Sequence, residues 1–233
     1  MFLPLILALS IAPVDGPVDG PVLLEVGAPP PMILERLGEH RRPVASDSVQ
    51  ARQWFDQGLA LMYGFNFDGA VASFLQATTI DPDFAMAWWA IAYSCGPNQN
   101  NPTIAAPKDQ WSYAAAQRAF ELKDRESGAN LALIEALVHR YQYPVPEDLT
   151  DQNQAYLDAM VLVRDQFPLD PDVATWTAEA MMVTQPWEYW SLDGEPLNLT
   201  PKFRAILEGV MKRHPDHPAA NHLYIHVMES SPW

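Results

Sequence analysis

Residues 51–84 alternate large and small side chains at spacings that strongly restrict how this segment can fold. Large and small residues alternate over six positions, and a proline ends the repeat. These positions are Trp54, Gly58, Leu61, Ala70, Phe74, Ala77 and Pro82. Small residues at Gly58 and Ala70 allow two helices to approach closely, and Phe74 fills the space between them. Because Pro82 cannot continue a helix, the pattern predicts two antiparallel helices that end at this proline.

Apolar residues three and four positions apart continue from about Ser46 to the end of the chain, which is typical of α-helices. Strand-like alternation is nearly absent, and a Pro- and Asn-rich segment at 96–102 reads as an inserted loop. We therefore predict an all-α fold with nine helices. Their expected bounds are 48–63, 67–79, 84–94, 108–122, 126–141, 150–166, 172–183, 200–213 and 218–230.

Four further motifs accompany the repeat at 51–84. They are residues 63–66 (YGFN), 85–89 (AMAWW), 187–190 (WEYW) and 221–226 (NHLYIH). Over residues 51–232 the chain resembles a bacterial family of tetratricopeptide-repeat (TPR) proteins of undefined activity. The resemblance implies a right-handed α-solenoid of antiparallel helix pairs, with about four pairs plus one terminal helix. The family usually has His where Phe67 stands, so no role is carried over to that position.

The resemblance also implies that further repeats follow Trp233 and that this chain is C-terminally truncated. A terminal helix without its partner leaves an apolar face uncovered. We therefore expect the C-terminal helix to pair either with a continuation of the chain or with another subunit.

The N-terminal region differs in composition from the helical domain at 46–233. Residues 1–12 are almost entirely apolar and form either a signal peptide or an apolar tail. The first alternative places the protein outside the cytoplasm, periplasmic or secreted, and the second leaves it cytoplasmic. Residues 13–45 contain a tandem Pro-Val-Asp-Gly and three consecutive prolines, which predict a Pro/Gly-rich linker.

The charge balance excludes one large class of partners. With 29 acidic and 14 basic residues the formal net charge is −15, which repels a phosphate backbone, so we expect no nucleic-acid binding. After residue 12, no apolar stretch reaches the roughly 18 residues that a membrane helix needs, so no transmembrane span is expected. The single cysteine, Cys95, leaves the fold without an intrachain disulfide.

Histidines near the C-terminus form a candidate metal site. His222, His226 and Glu229 share one helix face because they are four and three residues apart. Two imidazoles and a carboxylate can bind zinc, copper or iron, with His217 completing the set from the preceding turn. The alternative is a hydrated polar face that lines a groove without binding a metal.

Aromatic residues form a candidate binding surface. Exposed rings could anchor a peptide or small ligand, and the alternative is that they seal the junctions between repeats. The candidates are Trp88, Trp187, Tyr189, Trp190 and Tyr224.

The sequence contains neither a nucleophile elbow nor a phosphate-binding loop. Binding is therefore favoured over catalysis. The favoured function is a TPR-type binding module that presents a concave, acidic, aromatic-rich surface to a protein or peptide. The alternative is a metal-binding protein or metalloenzyme fragment that uses the His-His-Glu face.

Overall fold

The computed structural model describes residues 32–233, and this part of the chain is all-α. It contains nine α-helices, two short 3-10 turns and no strand. The helices are α1 (Val49–Tyr63), α2 (Phe67–Ile80), α3 (Ala85–Cys95), α4 (Lys108–Glu121), α5 (Gly128–Leu137), α6 (Thr150–Gln166), α7 (Pro171–Val183), α8 (Thr200–Arg213) and α9 (Pro218–Met228). The predicted all-α class and number of helices are confirmed for the described residues, and the solenoid arrangement of helix pairs stays a prediction.

The largest error in the predicted helix bounds falls on one helix. The fifth was expected over residues 126–141, whereas α5 spans only Gly128–Leu137 and continues as a 3-10 turn, Val138–Arg140. Gly128 has φ = 57°, a left-handed conformation that glycine adopts without steric cost. An α-helix cannot run through this residue, so the helix starts two residues later than predicted.

Side chains before the first turn determine where several helices begin. Ser48 accepts a hydrogen bond from the backbone N–H of Ala51 and thereby caps α1. Asp170 accepts from the N–H of Val173 at 3.0 Å and is followed by a proline at the first position of α7. His217 caps α9 in the same way. A side chain that accepts a hydrogen bond, followed by proline, is well suited to the start of a helix. At this position the backbone N–H that proline lacks would have no partner within the helix.

The α1–α2 pair has the close approach that its small residues predicted. A Cβ atom added at Gly58 would lie 2.5 Å from a ring carbon of Phe74. Ala70 and Phe74 are fully buried in the core. The Phe74 ring therefore occupies the space that the missing side chain of Gly58 leaves.

Each helix contacts the next one along the chain, and α9 also contacts α1 and α7. The C-terminal helix is consequently packed beside the first helix. Leu223 and Val227 of α9 are buried in the core, whereas Ile225 is 61% exposed. The apolar surface of α9 that remains uncovered is therefore small. The expected pairing of this helix with another subunit stays a prediction.

The predicted linker at 13–45 includes a segment that is docked on the helices. Residues 1–31, which include the predicted signal peptide, lie outside the described residues. Residues 32–45 contain no helix, yet Arg42 is buried and hydrogen-bonded to α5 and α7. The N–H of Ala45 donates to Glu126 at 3.0 Å. This part of the chain therefore belongs to the folded domain.

From residue 32 onward, no helix has both the length and the apolar character needed to cross a membrane.

Candidate metal-binding site

The imidazole rings of His222 and His226 face each other on one side of α9. Their Nε2 atoms are 3.2 Å apart and their ring centroids 5.0 Å apart. Two imidazole nitrogens bound to one tetrahedral zinc ion at about 2.05 Å would be about 3.3 Å apart. The observed separation is therefore close to that of two ligands sharing one metal ion.

The second nitrogen of each ring is occupied by a hydrogen-bond acceptor. Nδ1 of His222 lies 2.7 Å from the backbone oxygen of Tyr63. Nδ1 of His226 lies 3.0 Å from a carboxylate oxygen of Glu229. A carbonyl and an ionised carboxylate only accept, so both Nδ1 atoms carry the hydrogen. With both Nδ1 atoms engaged in this way, the two Nε2 lone pairs are directed at each other, at a separation that one metal ion could bridge.

The ring of Phe65 covers this histidine pair. It lies nearly parallel to the His226 ring, with centroids 5.5 Å apart, and its centroid is 4.2 Å from that of His222. Phe65 has φ = 60° in the turn between α1 and α2, which is unfavourable for a bulky residue. The strained turn thereby places an aromatic ring against both imidazoles, and the His226 side chain is only 15% exposed.

The structure brings together only part of the predicted ligand set. Glu229 binds Nδ1 of His226, so it orients the ring instead of facing the Nε2 pair. His217 lies apart at the start of α9, where its side chain is 1% exposed and its Nδ1 accepts from the N–H of Ala220. The geometry therefore leaves His222 and His226 as the two candidate ligands, whereas Glu229 and His217 have other hydrogen-bond partners.

A second cluster surrounds the buried carboxylate of Asp172. Its Oδ1 lies 3.0 Å from Nε2 of His40 and 3.2 Å from Nε2 of His217, and it also accepts from the hydroxyl of Tyr63. Its Oδ2 accepts from Arg42 at 2.9 Å. One ligand atom from each of His40, Asp172 and His217 lies within 4.8 Å of the other two, a spacing that a metal site could use.

The hydrogen bonds of this second cluster do not favour a metal ion. Because Ala220 donates to Nδ1 of His217, the ring hydrogen is on Nε2 and points at Asp172. Burial by itself raises the pKa of Asp172. The hydrogen bonds from His217 and His40 and the charge of Arg42 outweigh it and hold this pKa well below its usual range. The carboxylate is thus already neutralised and hydrogen-bonded by protein groups.

Sequence reasoning missed the Asp172 cluster. The sequence showed Arg42 only as part of a short basic run, and Asp172 only as one acidic residue in the first turn of a helix. The two are 130 residues apart. No local spacing links them, so only the packing of the N-terminal segment on α7 and α9 reveals the cluster.

Most of the predicted aromatic binding residues have structural partners. Tyr189 is buried, and its hydroxyl donates to Gln99. The indole N–H of Trp190 donates to the backbone oxygen of Val227 at 2.6 Å. Trp88 donates to the backbone oxygen of Pro82 at 2.9 Å. These contacts match the alternative in which the aromatic residues seal junctions between helices.

Of the five aromatic candidates, only Trp187 is exposed, and Trp88, Trp190 and Tyr224 are partly exposed. Tyr224 is partly exposed, and its hydroxyl donates to Glu208 at 3.0 Å on the neighbouring helix α8. Trp187 is 55% exposed and has φ = 67° in the loop after α7. Of the five candidates, Trp187 has the geometry best suited to contact another molecule.

Sequence reasoning also missed Glu179, a buried acid on α7. Glu179 is 4% exposed, and its Oε2 has no hydrogen-bond partner among residues 32–233. Burial raises its pKa to about 8. A glutamate on a helix is ordinarily a solvated residue, so the sequence offered no signal for this position.

The chain was compared with protein-family models, with curated proteins and with solved structures, and none of the three comparisons found a match.

Proposed function

We propose that this protein binds a transition metal ion through the Nε2 atoms of His222 and His226. The observation that carries the proposal is the 3.2 Å separation of these atoms. Both Nδ1 atoms are at the same time engaged by Tyr63 and Glu229. Metal-binding histidines ordinarily donate their other ring N–H to a carbonyl or a carboxylate, because this hydrogen bond orients the ring and raises its basicity.

Imidazole ligands suit zinc, copper and iron, and divalent copper is bound more tightly than zinc or iron by a given set of nitrogens. Two protein ligands leave further coordination positions for water or for another molecule. The site as proposed therefore holds the metal on a partly exposed surface of α9, under the ring of Phe65.

The test is calorimetric titration of the chelator-treated, dialysed protein with zinc and copper salts. We expect one metal per chain, and we expect binding to be lost in His222→Ala and in His226→Ala. His139→Ala and His214→Ala are matched controls, since both residues are exposed and lie outside the pair. Equal binding by the wild type and His222→Ala, or no binding by the wild type, contradicts the proposal.

A second proposed function is the binding of a peptide or protein on a TPR-like solenoid. It is supported by the succession of contacts between consecutive helices and by the close approach of α1 and α2. A groove of about 570 Å³ lies between the loop that contains Pro102 and the loop before α6, and its wall includes Glu147 and Asp148. Pro186, next to the exposed Trp187, also lines the groove. An acidic groove bordered by an aromatic residue fits a basic peptide.

Fluorescence polarisation with length-matched lysine-rich and glutamate-rich peptides tests this second function. We expect the lysine-rich peptide to bind more tightly, and its binding to weaken in the double variant Glu147→Lys/Asp148→Lys. The double variant Asp193→Lys/Glu195→Lys, at exposed positions outside the groove, changes the net charge by the same amount and is the control. Equal weakening by both variants, or no preference between the peptides, contradicts a binding role for the groove.

A further inference from the structure

A small cavity lies among α1, α3, α7 and α9, just beneath the turn that covers the histidine pair. Its volume of about 20 Å³ is enough for one water-sized group. Five aromatic rings and one carboxyl group form much of its wall. They belong to Tyr63, Phe65, Phe67, Tyr93, Trp176 and Glu179.

Glu179 is the polar group of this wall that most needs a partner. It is 4% exposed, and within the described part of the chain its Oε2 accepts no hydrogen bond. The indole N–H of Trp176, buried in the same wall, also lacks a partner there. Leaving buried polar groups unpaired is costly, and such groups in folded proteins normally have a partner. Within the described residues, the carboxyl group of Glu179 therefore lacks a hydrogen-bond donor, and the indole N–H of Trp176 lacks an acceptor.

The chemistry of the wall identifies the kind of donor. The faces of aromatic rings attract cations, and a carboxylate adds a charged acceptor. The wall presents a single carboxyl group and no imidazole, which is too few ligands for a divalent metal ion. Nor does it contain a basic side chain that would bind an anion. A small monovalent cation with N–H groups satisfies both the rings and the carboxylate.

We propose that this cavity binds the ammonium group of an amine, with Glu179 as its carboxylate partner and the surrounding aromatic rings as its cage. The ammonium group could belong to a free small amine or to a lysine side chain of another molecule. Phe65 and Phe67 are partly exposed and form the outer wall, where the amine enters. Phe65 also separates the cavity from His222 and His226, so this site is distinct from the proposed metal site.

Proton release is an expected feature of this binding. Burial raises the pKa of Glu179 to about 8, so the carboxyl group without a ligand is largely protonated at pH 7. The other titratable groups of the wall are Tyr63 and Tyr93, and Tyr189 is within electrostatic reach of Glu179. An arriving ammonium group favours the ionised carboxylate and displaces its proton into solvent.

The experiment is calorimetric titration of the whole chain with methylammonium chloride at pH 9, in the presence of a chelator. We expect one site per chain. In Glu179→Gln, which keeps the shape of the side chain but removes its charge, binding should weaken by roughly 10- to 100-fold. Glu195→Gln is the matched control at an exposed position. The double variant His222→Ala/His226→Ala should bind methylammonium like the wild type, which separates this proposal from the metal site.

Size and charge controls complete the test. Tetramethylammonium, which is too large for the cavity and has no N–H group, should not bind, and sodium chloride should produce no saturable heat. Binding of Nα-acetyl-lysine methylamide would identify lysine side chains as ligands. If methylammonium binds and this compound does not, the source is a free amine.

A titration at pH 7 in two buffers of different ionisation enthalpy provides a second measurement that needs no variant. We expect close to one proton to be released per methylammonium bound. Absence of saturable binding, unchanged affinity in Glu179→Gln, or binding without proton release would overturn the proposal and leave only a water-filled cavity.

Discussion

Arg42 and Asp172 lie 130 residues apart in the sequence and form a buried ion pair with a nitrogen–oxygen distance of 2.9 Å. The guanidinium also donates to Asn130 and lies 5.1 Å from the centre of the Trp176 ring. A single side chain of the N-terminal segment thus joins α5 and α7. This arginine is the buried charged residue among the contacts that hold the segment before α1 in place.

We predict that Arg42→Ala lowers the free energy of unfolding by roughly 3–5 kcal/mol, because it leaves the buried carboxylate of Asp172 without its cation. Urea denaturation followed by circular dichroism measures this change. Arg41→Ala is the matched control: its ion pair with Asp56 is more exposed, and such pairs contribute at most about 1 kcal/mol. Similar losses in the two variants would contradict the central role of Arg42.

Glu179 should make stability depend on pH in the neutral range. Its pKa is raised from 4.5 to about 8 by burial, so the folded state holds the proton more tightly than the unfolded state. The associated stability is fully present below pH 4.5 and is lost as the pH rises towards about 8. Glu179→Gln should remove this loss and be more stable than the wild type at pH 9, by a few kcal/mol at most. Unfolding curves at pH 5, 7 and 9 without amines provide the test. Parallel pH profiles for the two proteins would contradict it.

The contact between Gly58 and Phe74 predicts opposite effects for two glycine substitutions. Gly58→Ala should destabilise the protein by about 1–3 kcal/mol, because the new Cβ would lie 2.5 Å from the Phe74 ring. Gly209→Ala, in the interior of α8, meets nothing closer than 3.6 Å and should stabilise the protein by about 0.5–1 kcal/mol. Thermal unfolding compares them directly. If the Gly58→Ala variant is more stable than the wild type, α1 and α2 do not approach each other as closely as this contact indicates.

Glu229 distinguishes a metal ligand from a residue that orients one. Because its carboxylate binds Nδ1 of His226, Glu229→Ala should weaken zinc binding by about 10- to 100-fold without abolishing it. His226→Ala should abolish it. Titration with zinc at constant pH measures both effects. Complete loss of binding in Glu229→Ala would instead make the carboxylate a direct ligand, as the sequence first indicated.

Local rules of helix formation explain how much of the fold could be predicted. The caps at Ser48 and Asp170, the prolines that follow acceptors and the small residues of the first helix pair all act over a few positions. The start of α5 was misplaced because a left-handed glycine conformation leaves no clear mark in a helical pattern. The pairing of His222 with His226 was likewise accessible, because residues four apart meet on one helix face.

The amino-acid sequence by itself determined the helices, their order and the side of α9 that carries the histidines, because these depend on neighbours within one or two turns. Only the tertiary structure decided that His217 turns to Asp172 and that Nδ1 of His222 meets the backbone oxygen of Tyr63. It also decided that Arg42 is buried and that Glu179 faces a cavity without a partner in the described chain. These outcomes depend on burial and on contacts between distant segments, which no local spacing encodes.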